Sequence, residues 1–186
     1  LLVLAVFLMY VGHNAIHGNW NYFVMYRFNW DERMIGISMG TIGLLVAIVQ
    51  GGLIRWINPK LGNKKSIVLG LTLTTLSFLL FAVANKEWMM FAFLIPYCLG
   101  GIAGPALQAI ITEFVPDNEQ GQIQGTLSSI NSATAIVGPL LMSNVFFYFT
   151  HDKAPFLFPG APFLLGALLV SIAIYIVIYN FKKAKI

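Results

Sequence analysis

The sequence predicts an all-α membrane protein in which six transmembrane helices form one bundle. Hydrophobic residues make up 58% of the 186 residues and charged residues only 10%, whereas about a quarter of a soluble domain is charged. The mean hydropathy is +0.79. The apolar residues also fall into six runs, each close to the roughly 20 residues that a helix needs to cross a membrane.

The six predicted spans follow one another through short loops. They cover residues 1–26, 34–54, 66–84, 88–111, 121–148 and 156–180. Because these loops leave no room for a soluble domain, we predict a single domain over residues 1–186. Nothing resembles a cleavable signal peptide. The chain begins with Leu1 rather than Met, which leaves open whether residue 1 is the native start.

The distribution of Lys and Arg predicts the orientation in the membrane. Seven basic residues follow the second and sixth spans, and four lie on the opposite side. The first group is Arg55, Lys60, Lys64, Lys65, Lys182, Lys183 and Lys185, and the second is Arg27, Arg33, Lys86 and Lys153. By the positive-inside rule, both ends of the chain are cytoplasmic. The net charge of +4 is therefore a topology signal, and we expect no nucleic-acid partner.

A polar helical face marks the first span. His13, His17 and Asn21 are spaced four residues apart, and Asn14 lies beside them, so they are predicted to share one side of a helix. So many polar groups on one face are difficult to satisfy in a dry interface, which favours a water-accessible cavity. Hydrogen bonding between helices is the alternative interpretation.

The other spans add neutral amides to the predicted cavity. Gln50 and Gln108 lie in the second and fourth spans, and Asn131 lies deep in the fifth. For the two glutamines, a simple hydrogen bond between helices is an equally good interpretation. Two histidines four residues apart could hold a metal, but the spans contain no carboxylate or third imidazole, so no metal site is predicted.

Small residues and prolines predict where helices pack closely or bend. Glycines four residues apart allow two backbones to approach in lipid, and proline removes an amide donor and bends a helix. The positions predicted to serve in packing or bending are Gly100, Gly104, Pro105, Gly121, Gly125, Gly138 and Pro139.

One short motif points to an enzyme. The sequence GISMG at residues 36–40 is similar to the nucleophile motif of the rhomboid proteases, six-helix proteins that use a Ser–His dyad. In that family the histidine follows the serine. Here His13 and His17 precede Ser38, and His151 lies in a loop. Because a nucleophile needs a base within hydrogen-bond reach, an intramembrane serine protease is an unfavoured alternative, and we predict no enzyme.

The whole chain resembles the C-terminal half of a major facilitator superfamily transporter. The basic loop is similar to the second copy of that superfamily's loop signature, through Lys60, Gly62, Lys64 and Lys65. The resemblance implies 3+3 inverted helix repeats, alternating access and a partner bundle of six N-terminal helices missing from this chain. Since Pro59 stands where the signature has Asp, the gating role of that Asp is not carried over.

Within the superfamily, the chain resembles the tetracycline-resistance family of drug/proton antiporters. The resemblance lies in GGIAGPALQA at residues 100–109, EQGQIQG at 119–125 and IVGPLL at 136–141. It implies a bacterial inner-membrane exporter of tetracycline-like or other small amphipathic drugs, driven by the proton gradient without a cofactor. Proton-coupled uptake of a metabolite is the alternative within the superfamily.

Two positions depart from the family pattern. The antiporters have an Asp where this chain has Thr74 and a His where it has Val46. Neither replacement can bind a proton at neutral pH. Proton coupling therefore falls to His13 and His17, since imidazole changes charge near physiological pH, or to the partner bundle.

Overall fold

The structure is a computed structural model and describes residues 1–183, which form nine α-helices and contain no β-strand. The helices are α1 (Leu2–His17), α2 (Trp20–Phe28), α3 (Glu32–Ile48), α4 (Ile54–Leu61), α5 (Asn63–Val83), α6 (Glu87–Gly100), α7 (Ala103–Glu113), α8 (Gln120–Thr150) and α9 (Ala161–Lys183). A π-helical turn, Val49–Leu53, joins α3 to α4. The predicted all-α class is confirmed. Lys185, one of the basic residues that predict orientation, lies outside the described residues.

Three of the six predicted spans contain an irregularity. The first span consists of two helices of 16 and 9 residues, because the backbone at Asn19 leaves the helical region (φ −130°, ψ −7°). The second passes through the π-helical turn and continues to residue 61, and the fourth is interrupted at residues 101–102. Within residues 1–183, five helical stretches are long and apolar enough to cross a membrane. They correspond to the second to sixth predicted spans, and the first span is not among them.

The sixth span begins later than predicted. The apolar residues 156–158 belong to a loop, and α9 starts only at Ala161. Pro155 and Pro159 flank this apolar triplet, and Gly160 follows. Proline cannot continue a helix that precedes it without losing a hydrogen bond, so hydrophobicity alone misplaces the boundary by five residues.

The core of the bundle lies between α1, α5 and α9. Helix α9 packs against α1 and α5, α5 also packs against α6 and α7, and α1 also packs against α8. Three fully buried aromatic residues join α2, α5 and α9, with the ring centre of Phe163 4.9 Å from that of Phe23 and 5.5 Å from that of Phe81. Phe23 and Phe163 meet edge to face, and such aromatic contacts add to the stability gained from burial.

The bundle is open on one side. Only 11% of the apolar stretch in Glu32–Leu61 and 17% of that in Asp117–Thr150 is buried inside the chain, against 50% for Asn63–Val83. Helices α3 and α8 therefore flank the bundle, whereas α5 lies within it. Most of the surface of α3 and of α8 is therefore exposed.

Glycines bring helices together at two core contacts. A Cβ atom added to Gly100 would collide with Thr74 Oγ1 and lie 2.9 Å from the carbonyl oxygen of Gly70. A Cβ on Gly12 would lie 3.2 Å from the carbonyl oxygen of Gly166. The contacts between α5 and α6 and between α1 and α9 thus require residues without side chains, as expected where helices associate in lipid.

We expect Gly100→Ala to destabilise the bundle, because the added methyl group collides with the buried Thr74 hydroxyl and also meets the backbone of α5, which cannot rotate away. Such overpacking costs about 1–3 kcal/mol of unfolding free energy, which should lower the thermal midpoint of the purified full-length protein. Gly43→Ala is the matched control, since a Cβ there meets no atom within 4 Å. Equal midpoints for the two variants would contradict the close contact between α5 and α6.

Candidate functional site

An open cavity of about 550 Å³ lies between α1, α3, α6, α7 and α8. Its polar lining residues are Tyr10, His13, Asn14, His17, Gln50, Tyr97, Gln108, Asn131 and Thr134. Within residues 1–183, no Asp, Glu, Lys or Arg lines it. The cavity wall therefore contacts a bound molecule through neutral hydrogen-bonding groups and aromatic rings.

Six of the seven residues predicted to line a cavity meet here. They are His13, Asn14, His17, Gln50, Gln108 and Asn131. The structure does not bring Asn21 to the cavity. The helix break after α1 explains this difference, because residues beyond Asn19 no longer continue the face of α1, and Asn21 lies exposed on α2.

His13 is held in a defined orientation. Its Nδ1 lies 2.7 Å from the carbonyl oxygen of Met9, and because a carbonyl can only accept, Nδ1 carries the hydrogen. The imidazole also contacts two rings, with its centroid 5.8 Å from that of Tyr97 and 6.2 Å from that of Phe78. His13 is half-buried, whereas His17, one turn later, is exposed.

Asn14 joins α1 to α8. Its Nδ2 donates to the carbonyl oxygens of Tyr10 at 2.9 Å and Thr134 at 3.3 Å. The side chain packs directly on Gly138, where a Cβ atom would lie 2.7 Å from the Cβ of Asn14. The amide on the predicted polar face therefore serves both the cavity wall and the contact between these helices.

Two helix irregularities meet at the cavity around Gln50. This residue belongs to the π-helical turn Val49–Leu53, and its Nε2 lies 3.8 Å from the position of a Cβ on Gly101, at the break between α6 and α7. Isolated π-helical turns within α-helices are frequent at functional sites. The turn brings an amide to a cavity otherwise lined on α3 by Ile42 and Val46.

Gln108 and Gln124 link α7 to α8. The Nε2 of Gln108 donates to the Oε1 of Gln124 over 2.8 Å. Both side chains are exposed, so this bond lies on the open side of the bundle. The sequence left two interpretations for Gln108, lining of the cavity and a hydrogen bond between helices. Both describe the structure, because Gln108 lines the cavity and also bonds a neighbouring helix.

The sequence pattern missed Tyr10, Tyr97 and Thr134. Tyr10 lies one turn before Asn14 and could have been found by extending the polar face toward the N-terminus. Tyr97 reaches the cavity although it is 95% buried, and Thr134 is buried beside Asn14. Their positions depend on how α6 and α8 pack against α1, which periodicity along a single helix does not encode.

The predicted packing glycines fall into two groups. Gly100 and Gly138 contact neighbouring helices, whereas a Cβ on Gly104, Gly121 or Gly125 would meet no described atom within 4 Å. Gly104 lines the cavity instead. The structure gives these three glycines no close neighbour within residues 1–183, and their packing role stays a prediction.

The two predicted bending prolines differ in position. Pro139 lies within the continuous helix α8. Pro105 is the third residue of α7, so its missing amide hydrogen falls in the first turn, where no bond within the helix is lost. The interruption lies instead at residues 101–102, just before α7.

Ser38 has a structural role that differs from that of a protease nucleophile. It is fully buried, its Oγ donates to the carbonyl oxygen of Ile35 over 2.7 Å, and it accepts from Trp20 Nε1 over 2.9 Å. The bond from Trp20 ties α2 to α3, whereas the bond to Ile35 lies within α3. A serine whose hydrogen is already donated to a backbone carbonyl lacks the base that a nucleophile needs.

The basic loop between α4 and α5 turns at Gly62. Its φ of +75° is a conformation that glycine adopts without strain. The Nζ of Lys60 lies 5.8 Å from the ring centre of Trp56, and that of Lys64 lies 5.9 Å from the ring centre of Phe181. Lys64 and Lys65 also line a shallow second cavity. Anchoring by this loop at the cytoplasmic face stays a prediction.

The long apolar helices of the bundle are those of a multi-pass membrane protein. The model of the Major Facilitator Superfamily matches residues 2–182, and the chain belongs to this family. Its members are transporters rather than enzymes. The predicted family is thus confirmed.

Several tetracycline resistance proteins are similar to the chain. The class C protein of Escherichia coli is 37% identical over 127 residues, 68% of this chain and 32% of that protein. The class E protein of Escherichia coli is 35% identical over 157 residues, 84% and 38% of the two chains. The class D protein of Salmonella ordonez is 32% identical over 167 residues, 90% and 41%. The chain spans about a third to two fifths of these relatives.

We expect a cysteine at position 131 to react with a water-soluble maleimide in membranes, because a thiol ionises and reacts only where water reaches it. The measurement is the labelling rate of Asn131→Cys in a background with Cys98→Ser, which removes the single native cysteine. Leu168→Cys is the control, since Leu168 is 57% exposed but lies on α9, away from the cavity. Equal labelling of both positions would argue against a water-filled cavity bordered by lipid-facing helices.

Proposed function

We propose that the chain is the C-terminal six-helix half of a proton-coupled exporter that moves tetracycline-like or other small amphipathic drugs by alternating access. The observation that carries the proposal is the neutral cavity on the open side of the bundle, in a chain similar to tetracycline resistance proteins. Broken helices at a shared cavity are typical of secondary transporters.

The partner is an N-terminal bundle of six helices that covers the open side. The relatives extend well beyond the part that this chain matches, and α3 and α8 are largely exposed. Asn131 of α8 and Gln50, in the π-helical turn that follows α3, lie beside the cavity. Polar groups at membrane depth are stable where they meet protein or water rather than lipid, which supports a second bundle at this surface.

The proposed setting is the bacterial inner membrane, with both ends of this half in the cytoplasm. The excess of Lys and Arg at residues 55–65, in α4 and the first turn of α5, supports this orientation. The energy source is the proton gradient, and the proposal includes no cofactor. Small-molecule substrate enters the cavity between the two bundles.

Coupling in this half cannot use the positions at which the resembling family has its Asp and His. Thr74 is fully buried in the core, and its Oγ1 donates to the carbonyl oxygen of Gly70 over 3.1 Å. Val46 lines the cavity with an apolar side chain. The remaining groups that can exchange a proton are the histidines of α1 or residues of the partner bundle.

The proposal predicts drug-dependent proton release from inverted membrane vesicles that contain the full-length protein. Respiration acidifies the vesicles, and a dye in the lumen reports the internal pH. An antiporter that carries added tetracycline inward releases protons, so the dye signal should recover. If tetracycline and a wider drug panel all fail to produce recovery, drug/proton exchange is refuted and metabolite symport becomes the better explanation.

The double variant His13→Ala with His17→Ala locates the coupling group. If α1 carries it, the variant should still bind tetracycline but release no protons. Recovery in this variant would assign coupling to the partner bundle. Gly104→Leu is the control for blocked transport, since a leucine there projects into the cavity. It should reach the membrane in normal amount and give no recovery.

A further inference from the structure

The wall of the cavity formed by α1 presents hydrogen-bond acceptors. Since Nδ1 of His13 donates to Met9, the neutral ring has its lone pair on Nε2, at the far end of the imidazole. Within residues 1–183, the buried side-chain polar atoms without partners belong to Asn19, Trp30, Asn58 and Ser66. His13 is not among them, and its side chain lines the cavity, so Nε2 is open to a bound molecule.

Asn14 presents a second acceptor. Both hydrogens of its amide nitrogen are used, one on the carbonyl oxygen of Tyr10 and one on that of Thr134. An amide nitrogen has only two hydrogens, so Oδ1 is the group that Asn14 can offer to the cavity. Nδ1 of His13 and Nδ2 of Asn14 are thus directed into the protein, whereas the acceptors Nε2 and Oδ1 of these two residues remain.

The surface beside these acceptors is aromatic. Tyr97 lines the cavity and packs with its ring centre 5.8 Å from His13 and 5.9 Å from the fully buried Phe78. This packing fixes the Tyr97 ring, of which 5% remains exposed at the cavity, so Tyr97 offers a small aromatic contact to another ring. A planar compound resting there has its edge near the acceptors of α1.

We propose that this wall is a subsite for a planar aromatic compound that presents N–H or O–H donors at its edge, and that His13 Nε2 determines the preference. The inference rests on the proposed function, because it assigns the transported compound to this cavity. A molecule that presents only acceptors or a negative charge finds no donor from His13 or Asn14. A site with fixed acceptors disfavours an analogue without donors, because its own polar groups then lose their partners.

Proflavine and acridine orange provide a matched pair of probes. They share the acridine ring and a single positive charge, but acridine orange has methyl groups in place of the amino hydrogens of proflavine. Both are fluorescent, so fluorescence anisotropy measures their binding to the full-length protein in nanodiscs. We expect proflavine to bind about tenfold more tightly, the effect of one hydrogen bond of ordinary strength.

His13→Phe should reduce the preference to about one, because phenylalanine retains a flat ring and removes the lone pair. His17→Phe is the matched control and should keep the preference, whatever its effect on transport rate. His13→Gln should also keep it, since the amide oxygen accepts, which separates the loss of an acceptor from a folding defect.

Three results would overturn the inference: no preference in the unmodified protein, an unchanged preference in His13→Phe, or failure of His13→Gln to retain it. Binding does not depend on proton release, so the two proposals can fail separately. Preference without proton release would refute the antiporter but keep the subsite. Proton release without a binding preference would support the antiporter but refute the subsite.

Discussion

The contact between Asn14 and Gly138 fixes the first span against α8, and the cavity depends on it. In a membrane, apolar side chains gain little by leaving lipid, so helices associate by close backbone approach and interhelical hydrogen bonds. Here Gly138 has no side chain and leaves room for the amide group of Asn14. That amide donates a hydrogen bond to the carbonyl oxygen of Thr134 on α8. The contact continues one turn later, where a Cβ on Gly18 would lie 2.8 Å from the Cα of Pro139. Two adjacent turns of α1 are therefore held on α8.

This contact also decides what the cavity can bind. Because the amide nitrogen of Asn14 is used for packing, Asn14 turns an acceptor rather than a donor toward the open side. A charge at membrane depth carries a free-energy cost of about 2.5–3.5 kcal/mol on insertion scales, and the cavity lining within residues 1–183 has none. Recognition by this half then depends on hydrogen-bond direction and ring contacts, both of which require the rigid geometry that close helix packing supplies.

The sequence predicted the fold and much of the site because both follow from periodicity along single helices. Apolar runs located the spans, and spacing of three to four residues identified His13, Asn14 and His17 on one face. Prediction failed where the backbone leaves the regular helix, or where the position of a residue depends on packing against another helix. Asn21 lies beyond the break at Asn19. Tyr97 and Thr134 reach the site only through packing between helices.

The irregular segments gather at the cavity for a physical reason. A backbone amide or carbonyl freed from its helix must find another partner, which lipid cannot supply. The π-helical turn at Val49–Leu53 and the break at residues 101–102 both border the cavity, and the break after α1 follows directly on His17. Protein polar groups and cavity water can satisfy the backbone there. Under the proposed function, the polar groups that satisfy the interrupted backbone also contact the amphipathic drug, so the interruption of helices and the recognition of substrate have one structural origin.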